Sequence, residues 1–340
     1  MSDHKLKPFP NLARALWHVA PGVSEIRETN LPPLDSGRVR VRALWSAVSR
    51  GTERLVAGGA VPESEWTRMR APFQEGDFPF PVKYGYCLVG KIEAGPPRRL
   101  GQTVFALHPH QTLFDLPADS AIQVPADVTP RRAVLAANME TALNAVWDSG
   151  AGPGDRILVI GAGVVGLLIA WICSRLPGAE ALLIDSAPER AATASALGIP
   201  FALSPAGREP VDVAFNCTGR AEGLAAAIGQ AGFEATVVEA SWHGAEPSQI
   251  PLGGAFHSQR LRLVSSQVGA VSAGRRPRWS YRRRLSKALD LLADPALDAL
   301  LGWPVAFEDL PHAIGGLLDP KSSALCPLIR YPAAEGSSGR

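Results

Sequence analysis

The chain has 340 residues, roughly twice the usual size of a domain, so its length predicts two domains. Hydrophobic residues make up 46% and charged residues 19% of the sequence, a balance that excludes a disordered chain and a coiled coil. The 34 basic residues exceed the 32 acidic ones by only two, which argues against a nucleic-acid-binding protein.

Cysteine usage and the N-terminus bear on the cellular compartment. The four cysteines are far apart and form no Cys-x-x-Cys pair, which argues against a disulfide scaffold and a zinc ribbon. Residues Met1–Pro8 lack the apolar core of a signal peptide. We therefore expect a cytoplasmic protein.

The first ~125 residues predict a mostly β domain. Short strand-type segments separated by turns run through residues 12–45, and Arg38–Trp45 alternates apolar and charged residues as a half-buried strand does. Further β segments are expected at 86–93 and 102–107, each bounded by Gly or Pro.

After Pro130 the pattern changes to alternating helices and strands, which predicts a parallel sheet of crossover units. The predicted strands are 157–160, 181–184, 211–215, 235–240 and 261–266, and the predicted helices are 131–147, 164–176, 188–198 and 221–230. Helices at 284–292 and 310–318, a β segment at 328–331 and a frayed tail complete the chain.

The uncharged run from Ile157 to Ser174 has the length of a membrane span, but glycines interrupt it. A strand, a tight turn and a helix explain the run better. We expect no membrane association.

The turn in that run, Gly161-Ala-Gly163-Val164-Val165-Gly166, is a Gly-x-Gly-x-x-Gly dinucleotide fingerprint between a strand and a helix. The first glycine permits the turn, the second admits a pyrophosphate and the third lets helix and strand pack closely. The pyrophosphate would lie at the positive N-terminus of the helix.

Asp185 ends the next strand, nineteen residues after Gly166, where a carboxylate accepts hydrogen bonds from the adenosine ribose and repels a 2′-phosphate. Ser186 follows, and Arg190, one helical turn on, could stack on adenine. These residues predict NAD rather than NADP. The alternative for Asp185 is the N-cap of a helix that opens at Pro188.

The arrangement resembles the medium-chain dehydrogenase/reductase superfamily, on a β-rich N-terminal part, Met139-Glu-Thr-Ala-Leu143, Gly154–Gly163 and a returning C-terminal part. The resemblance implies an α/β fold with a Rossmann dinucleotide-binding domain and a β-rich GroES-like catalytic domain. It implies residues 1–130 and 275–340 for the GroES-like catalytic domain and 131–274 for the Rossmann NAD-binding domain.

Four more residues are expected beside the cofactor. Cys217 and Thr218 end a Rossmann strand, and we interpret Cys217 as a packing residue beneath the nicotinamide ribose rather than a nucleophile. By the resemblance, Arg50 is a candidate for contacting the cofactor phosphates and Thr141 for lining the cofactor site.

The alcohol dehydrogenases of this superfamily are zinc enzymes, but this chain departs from their ligand pattern. Ser49 or Arg50 stands where a cysteine is expected, Tyr86 replaces the histidine, and Ala137-Asn138 stands at the third position. Catalytic zinc needs about three converging ligands. His108 and His110 alternate on an extended segment and should point to opposite faces. We predict no metal site.

A closer resemblance is to the branch known as bacteriochlorophyllide dehydrogenase-like. It is carried by Val48–Glu53, Met69–Cys87, Pro109–Gln111 and Arg260–Gly269. The namesake oxidises a secondary alcohol with NAD, so the resemblance implies the reaction type more strongly than the substrate.

Without zinc, the substrate oxygen needs a hydrogen-bond or proton donor from a side chain. Tyr86 is the first candidate, because it replaces a ligand that faces the substrate. Tyr84, Thr52, Glu53 and His110 are the others. Alternatively, Tyr86 only fills the former zinc cavity, Glu53 pairs with an arginine and His110 is a surface residue.

The basic run Arg275–Arg284 contains a tryptophan and a tyrosine. It is either an anion-recognition patch or a solvated loop that leads into a helix, and the second interpretation is favoured. Glu140 is either a helix-surface charge or a residue near the substrate.

These observations predict a zinc-independent, NAD-dependent oxidoreductase that interconverts a secondary alcohol and a ketone. The alternatives are an NAD(P)H-dependent enoyl or quinone reductase of the same fold, a non-catalytic dinucleotide-binding protein, and a nucleic-acid binder through the arginine run. The expected partner is a small-molecule substrate, with an anionic substrate left open. We expect no nucleic-acid partner, and a homodimer is a family expectation.

Overall fold

The computed structural model describes residues 11–205, 207, 209–245 and 247–332. Residues Met1–Pro8, from which we argued against a signal peptide, and the tail predicted to fray, 333–340, lie outside the described residues. In the segments that are described, no helix combines the length and the apolar character needed to cross a bilayer.

The strands in chain order are β1 (Leu12–Ala20), β2 (Val23–Asn30), β3 (Arg38–Ala47), β4 (Glu75–Gly76), β5 (Val82–Lys83), β6 (Leu88–Ala94), β7 (Thr103–Ala106), β8 (Leu113–Pro117), β9 (Ile122–Gln123), β10 (Arg156–Ile160), β11 (Glu180–Ile184), β12 (Phe201–Ala202), β13 (Val211–Asn216), β14 (Ala231–Glu239), β15 (Arg262–Ser265), β16 (Leu301–Ala306) and β17 (Cys326–Arg330). The α-helices are α1 (Arg50–Ala57), α2 (Pro130–Ala133), α3 (Ala136–Ser149), α4 (Val164–Cys173), α5 (Arg190–Ala196), α6 (Ala221–Gln230), α7 (Tyr281–Leu291) and α8 (Leu310–Leu318).

The parallel sheet predicted from the alternating pattern is present. Among the described residues, its strand order is β12-β11-β10-β13-β14-β15, and every pairing is parallel. Numbered along the sheet, this is the order 3-2-1-4-5-6 of a dinucleotide-binding fold, whose crevice lies beyond the carboxyl end of β10.

The β-rich part contains two further sheets in the described segments. One has the order β2-β1-β5-β4, and the other has the order β16-β17-β3-β6-β7-β9 with β8 also paired to β3. The late strand β17 runs antiparallel to β3, so the end of the chain completes a sheet that its beginning started. The domain boundaries at 130/131 and 274/275 stay predictions.

Buried apolar side chains join these layers. The largest cluster combines the faces of α3, α4 and α7 with β10 and β13, and it extends to Cys87, Val89 and Phe105 of the β-rich part. A second cluster lies between β3, β6 and α8. Because one cluster spans both parts, the segments on either side of the crevice are packed against each other.

Several predicted bounds differ from the structure by a few residues, and two of the helices are examples. The predicted helix 131–147 is two helices, α2 and α3, with Val134 and Leu135 between them. The helix predicted to open at Pro188 begins at Arg190, because the chain first forms a turn around the Asp185 carboxylate.

Candidate active site

The glycine turn after β10 has the geometry that its sequence predicts. Gly161 has φ of +105°, a conformation that glycine adopts without strain, and it lies against the backbone of Cys217. A Cβ atom on Gly166 would lie 1.9 Å from the carbonyl oxygen of Gly161. Strand and helix therefore approach each other at a distance that only glycine permits here.

Gly163 differs from its two partners, because a Cβ atom there would meet no atom within 4 Å. The residue is exposed, and α4 starts directly after it with no side chain capping the helix. Val164 and Val165 form the open first turn. A helix N-terminus facing free space fits a pyrophosphate.

Asp185 braces the same turn from the neighbouring strand. Its Oδ2 accepts a hydrogen bond from the Ala162 N–H at 2.6 Å, and its Oδ1 accepts one from the Ala187 N–H at 2.9 Å. It is not the N-cap of α5, whose N-cap position is Glu189. Each carboxylate oxygen can accept a second hydrogen bond, so binding a ribose and bracing the turn are compatible.

Two arginines expected at the cofactor are held by the chain itself. The Arg50 guanidinium donates to the carbonyl oxygens of Leu317, Asp319 and Ala324. Arg190 donates to the carbonyl oxygen of Ser323 at 2.7 Å. Both arginines therefore hydrogen-bond the backbone of the segment 317–324. To contact a cofactor phosphate or adenine, either arginine would have to break these hydrogen bonds.

The other cofactor candidates lie around the end of β13 and on α3. Cys217 packs against Gly161 and Gly166, and burial raises the pKa of its thiol, which disfavours a nucleophilic thiolate. The Thr218 hydroxyl donates to Asn216 Oδ1 at 2.7 Å. Thr141 donates to the Ala137 carbonyl at 2.9 Å within α3.

Ser186 is exposed beside Asp185. The structure gives it no contact that would distinguish a cofactor role, so its assignment stays a prediction.

Three hydroxyl groups meet where the resemblance locates a metal. The Tyr86 phenol donates to Ser49 Oγ at 2.6 Å, and the nearby Thr52 side chain, like Ser49, acts to lower the pKa of the phenol. Ser49 and Thr52 flank the start of α1, whereas Tyr86 precedes β6. Burial is the largest cause that raises the pKa of Tyr86 above its ordinary value, so the phenol is protonated at neutral pH.

The third expected ligand position adds no metal donor of suitable chemistry. Asn138 Oδ1 lies 3.9 Å from the Cys87 sulfur, and burial raises the Cys87 pKa well above its usual range. Within the described ranges, no three His, Cys, Asp or Glu side chains converge as a metal site. Neutral hydroxyl, amide and thiol groups do not fit a catalytic zinc ion, which takes thiolate, imidazole or carboxylate.

The two histidines point in different directions, as their spacing predicts. His108 is stacked between Phe114 and Phe73, with ring centroids 3.9 and 5.6 Å away, and burial lowers its pKa to about 3. His110 lies in a different environment, with its Nε2 3.0 Å from Glu53 Oε2.

His110 and Glu53 are both fully buried, each with 0% of the side chain exposed. Neither side chain reaches solvent in this structure, and the catalytic role expected for the two residues stays a prediction. The alternatives expected for them are not seen, because among the described residues Glu53 forms its ion pair with His110 and not with an arginine, and His110 is buried. They lie beneath the Tyr86 hydroxyl cluster.

Several aromatic side chains belong to the same apolar cluster as the Tyr86 ring. We call this set, which is Trp66, Phe80, Tyr84, Tyr86 and Trp242, the aromatic wall. The Tyr84 ring meets the Tyr86 ring edge-on at 6.0 Å. Trp242 follows β14 and so brings the Rossmann sheet into contact with the β-rich part.

Glu140 is not a surface charge, which corrects one of the two expectations for it. Its carboxylate lies 2.9 Å from Arg284, with only 6% and 2% of the two side chains exposed. Burial raises the pKa of Glu140, and the guanidinium of Arg284 opposes that shift. The last arginine of the basic run therefore joins α7 to α3, while Arg275, Arg278 and Arg283 are exposed.

Several participants were not identified from the sequence. Ser46 and Tyr331 contact His110 or its neighbour, and Trp66 and Trp242 belong to the aromatic wall. Only Ser49 carried a signal, as the residue at an expected ligand position.

Comparisons with known proteins support the fold. No family model matches the chain. The chain is 22% identical over 332 residues to D-guloside 3-dehydrogenase of Escherichia coli K12, covering 88% of this chain and 94% of that protein.

Solved structures give higher coverage at lower identity. A short chain alcohol dehydrogenase from Escherichia coli CFT073, complexed with NADH, has a TM-score of 0.73 at 16% identity and covers 94% of this chain and 99% of its own. A protein from Sinorhizobium meliloti 1021, described as a zinc-binding dehydrogenase and bound to NADP, has a TM-score of 0.74 at 17% identity, with the same coverage. The strand order, the glycine turn and these matches show that the chain has the fold of the medium-chain dehydrogenase/reductase superfamily, with a Rossmann domain and a GroES-like domain.

Proposed function

We propose that this protein is a zinc-independent, NAD(H)-dependent oxidoreductase that interconverts a secondary alcohol and a ketone by hydride transfer. The observation that carries the proposal is the hydroxyl cluster of Tyr86, Ser49 and Thr52 at the position of the expected metal. A neutral phenol at this point replaces the Lewis acid with a proton donor.

The glycine turn and Asp185 would hold the dinucleotide. The free space at Gly163 and the open first turn of α4 suit a pyrophosphate, and the Asp185 carboxylate suits an unphosphorylated ribose. Bound nicotinamide supplies the hydride-transfer chemistry. The preference for NAD over NADP rests on Asp185 alone, since similar structures contain NADH or NADP.

Tyr86 would manage the proton. Its phenol stays protonated at neutral pH, so its one O–H, turned from Ser49 Oγ to the substrate, would donate to an oxygen that gains negative charge as a ketone is reduced, while the Ser49 hydroxyl donates to the phenol oxygen. Ser49 and Thr52 orient the phenol, and Ser49 Oγ lies close enough, at 2.6 Å, to pass a proton onward. In the oxidative direction the same groups would receive the alcohol proton.

The aromatic wall favours a substrate whose body is an uncharged ring. Its members are apolar surfaces with few polar atoms, and such walls bind ring faces, whereas a few polar groups fix orientation. The distant relative named D-guloside 3-dehydrogenase has a sugar ring in its substrate name, which agrees with this class. An anionic substrate would need the exposed arginines of the basic run, and this stays the second candidate.

The experiment is Tyr86→Phe, assayed with NAD on a panel of cyclic secondary alcohols. The change removes one hydroxyl and keeps the ring, so we expect NADH affinity within about twofold of wild type. We expect kcat and kcat/KM to fall together by ~10²–10⁴-fold, because the bond strengthens only as charge develops on oxygen.

Tyr281→Phe is the matched control, since Tyr281 is exposed and its hydroxyl donates to the Gly269 carbonyl instead. It should keep wild-type turnover. A Tyr86→Phe protein with near-normal kcat would mean that the phenol only fills space.

A further inference from the structure

A continuous chain of buried side chains runs beneath the hydroxyl cluster. Tyr331 OH lies 2.9 Å from Ser46 Oγ, Ser46 Oγ lies 2.9 Å from His110 Nδ1, and His110 Nε2 lies 3.0 Å from Glu53 Oε2. Glu53 Oε1 then accepts the Ser49 N–H at 2.7 Å. This series of hydrogen bonds therefore begins at Tyr331, directly after the last strand, β17, and ends at Ser49, which contacts the Tyr86 phenol.

Every hydrogen bond in this series can be donated in the same direction, from Tyr331 toward Glu53. The Tyr331 hydroxyl can donate to Ser46, the Ser46 hydroxyl to His110 Nδ1, and the His110 Nε2–H to the Glu53 carboxylate. In the described parts of the chain, the hydrogen bonds of this carboxylate are to His110 and the Ser49 N–H rather than to arginine or lysine, and His18 is a further nearby imidazole. A buried carboxylate without partners would be costly, so these donors fix where it lies.

The start of α1 explains what the carboxylate does. Ser49 is the N-cap residue, but its hydroxyl does not cap the helix. The hydroxyl instead accepts the bond from Tyr86, and Glu53 reaches back to the Ser49 N–H from the next turn. The bond is like the reciprocal half of a capping box, in which a carboxylate accepts from the backbone N–H of the cap residue, but it comes from the fourth residue after the cap and not the third. The Ser49 side chain is thereby free to face the phenol.

We propose that Glu53 is a positioning residue that holds the first turn of α1 so that Ser49 and Thr52 orient the Tyr86 phenol, and that His110, Ser46 and Tyr331 hold Glu53. This inference rests on the proposed function. It gives His110 and Glu53 an indirect role, because the two residues act through α1 and do not contact the substrate. The arrangement follows the logic of a group that orients another group, as in catalytic triads.

The test compares Glu53→Ala with Glu53→Gln. Alanine removes the acceptor of the Ser49 N–H, whereas the glutamine amide oxygen still accepts it. We expect kcat to fall ~10²-fold in Glu53→Ala, the usual effect of a small misplacement, and less than tenfold in Glu53→Gln. NADH affinity and KM should stay within about threefold of wild type in both proteins.

Asp115→Asn serves as a control for disturbing a polar group away from the site, because Asp115 pairs with Arg40 on β3. It should lower thermal stability without changing kcat per NADH-binding site. If Glu53→Ala does not fold, Glu53→Asp, which withdraws the same carboxylate by one methylene, should still lower kcat by tenfold or more.

A second measurement does not depend on turnover. Amide hydrogen exchange of residues 49–57 should accelerate by about tenfold or more in Glu53→Ala and stay near wild type in Glu53→Gln, because only alanine frees the Ser49 N–H. Absence of turnover in the wild-type protein would count against the proposed function, and the exchange result would still decide this inference. Wild-type kcat in Glu53→Ala, or unchanged exchange, would overturn it.

Discussion

Tyr86 carries the chemistry in this account, and its acidity sets the direction that is easier at neutral pH. Burial, with a smaller contribution from the neighbouring Cys87, raises the pKa of the phenol, while the Ser49 and Thr52 hydroxyls oppose the shift. A phenol that stays protonated is a donor, which suits ketone reduction. Alcohol oxidation needs the deprotonated form, which is scarce below the raised pKa.

The predicted pH dependence follows with a definite sign. The rate of hydride transfer in alcohol oxidation should rise with pH from ~7 through ~10 without a plateau, because the phenolate fraction grows about tenfold per pH unit below the pKa. Ketone reduction should be nearly flat over the same range. Single-turnover rates in both directions measure this, and a plateau in oxidation by pH ~9 would contradict it.

The proposed preference for NAD over NADP depends on Asp185. In Asp185→Asn the amide oxygen can still accept one backbone N–H, but the negative charge that repels a 2′-phosphate is gone. We expect the ratio of the NADP and NAD dissociation constants to narrow by about tenfold, measured by titration with the two reduced cofactors. An unchanged ratio would mean that Asp185 only braces the glycine turn.

At the scale of elements, the turn from β10 into α4 is where sequence and structure agree most closely. Each glycine of the fingerprint has a local cause, namely a positive φ, a free face or a short contact. Because these requirements involve residues within one turn, the spacing of the glycines was sufficient to predict them.

The second and third glycines predict opposite phenotypes. Gly163→Ala meets no atom of the protein, so the variant should keep wild-type thermal stability while its NADH dissociation constant rises about tenfold or more. Gly166→Ala collides with the Gly161 carbonyl and should lower the free energy of unfolding by about 1–3 kcal/mol or more. Thermal melts and NADH titrations of both variants test this, and equal destabilisation would argue against the separation of roles.

The start of α1 was not predictable in the same way. The sequence identified Ser49, Thr52 and Glu53 as candidates. The hydrogen bonds that position Glu53, however, join residues that are 57, 64 and 285 positions apart in the sequence. No local pattern specifies that Glu53 faces His110, or that Ser46 and Tyr331 complete the chain. Such contacts follow from the pairing of β17 with β3, which only the folded sheet establishes.

At the scale of the whole molecule, the site depends on segments from three parts of the sequence. The β-rich part supplies Tyr86 and α1, the Rossmann sheet supplies the glycine turn and Trp242, and the returning C-terminal part supplies Tyr331 and the segment 317–324. The alternation of strands and helices predicted the parallel sheet, and the resemblance implied that the C-terminal part returns to the β-rich part. The contacts of these parts across the crevice were not predicted.

The central claim is that hydroxyl groups do here what zinc does in similar proteins, and turnover of metal-free protein tests it most directly. Purified protein should contain well under one zinc ion per chain, and treatment with a strong chelator should leave the NAD-dependent oxidation of a secondary alcohol unchanged, because the side chains at the expected ligand positions do not form a zinc site. Loss of turnover on chelation, with recovery on adding about one equivalent of Zn²⁺, would contradict the account.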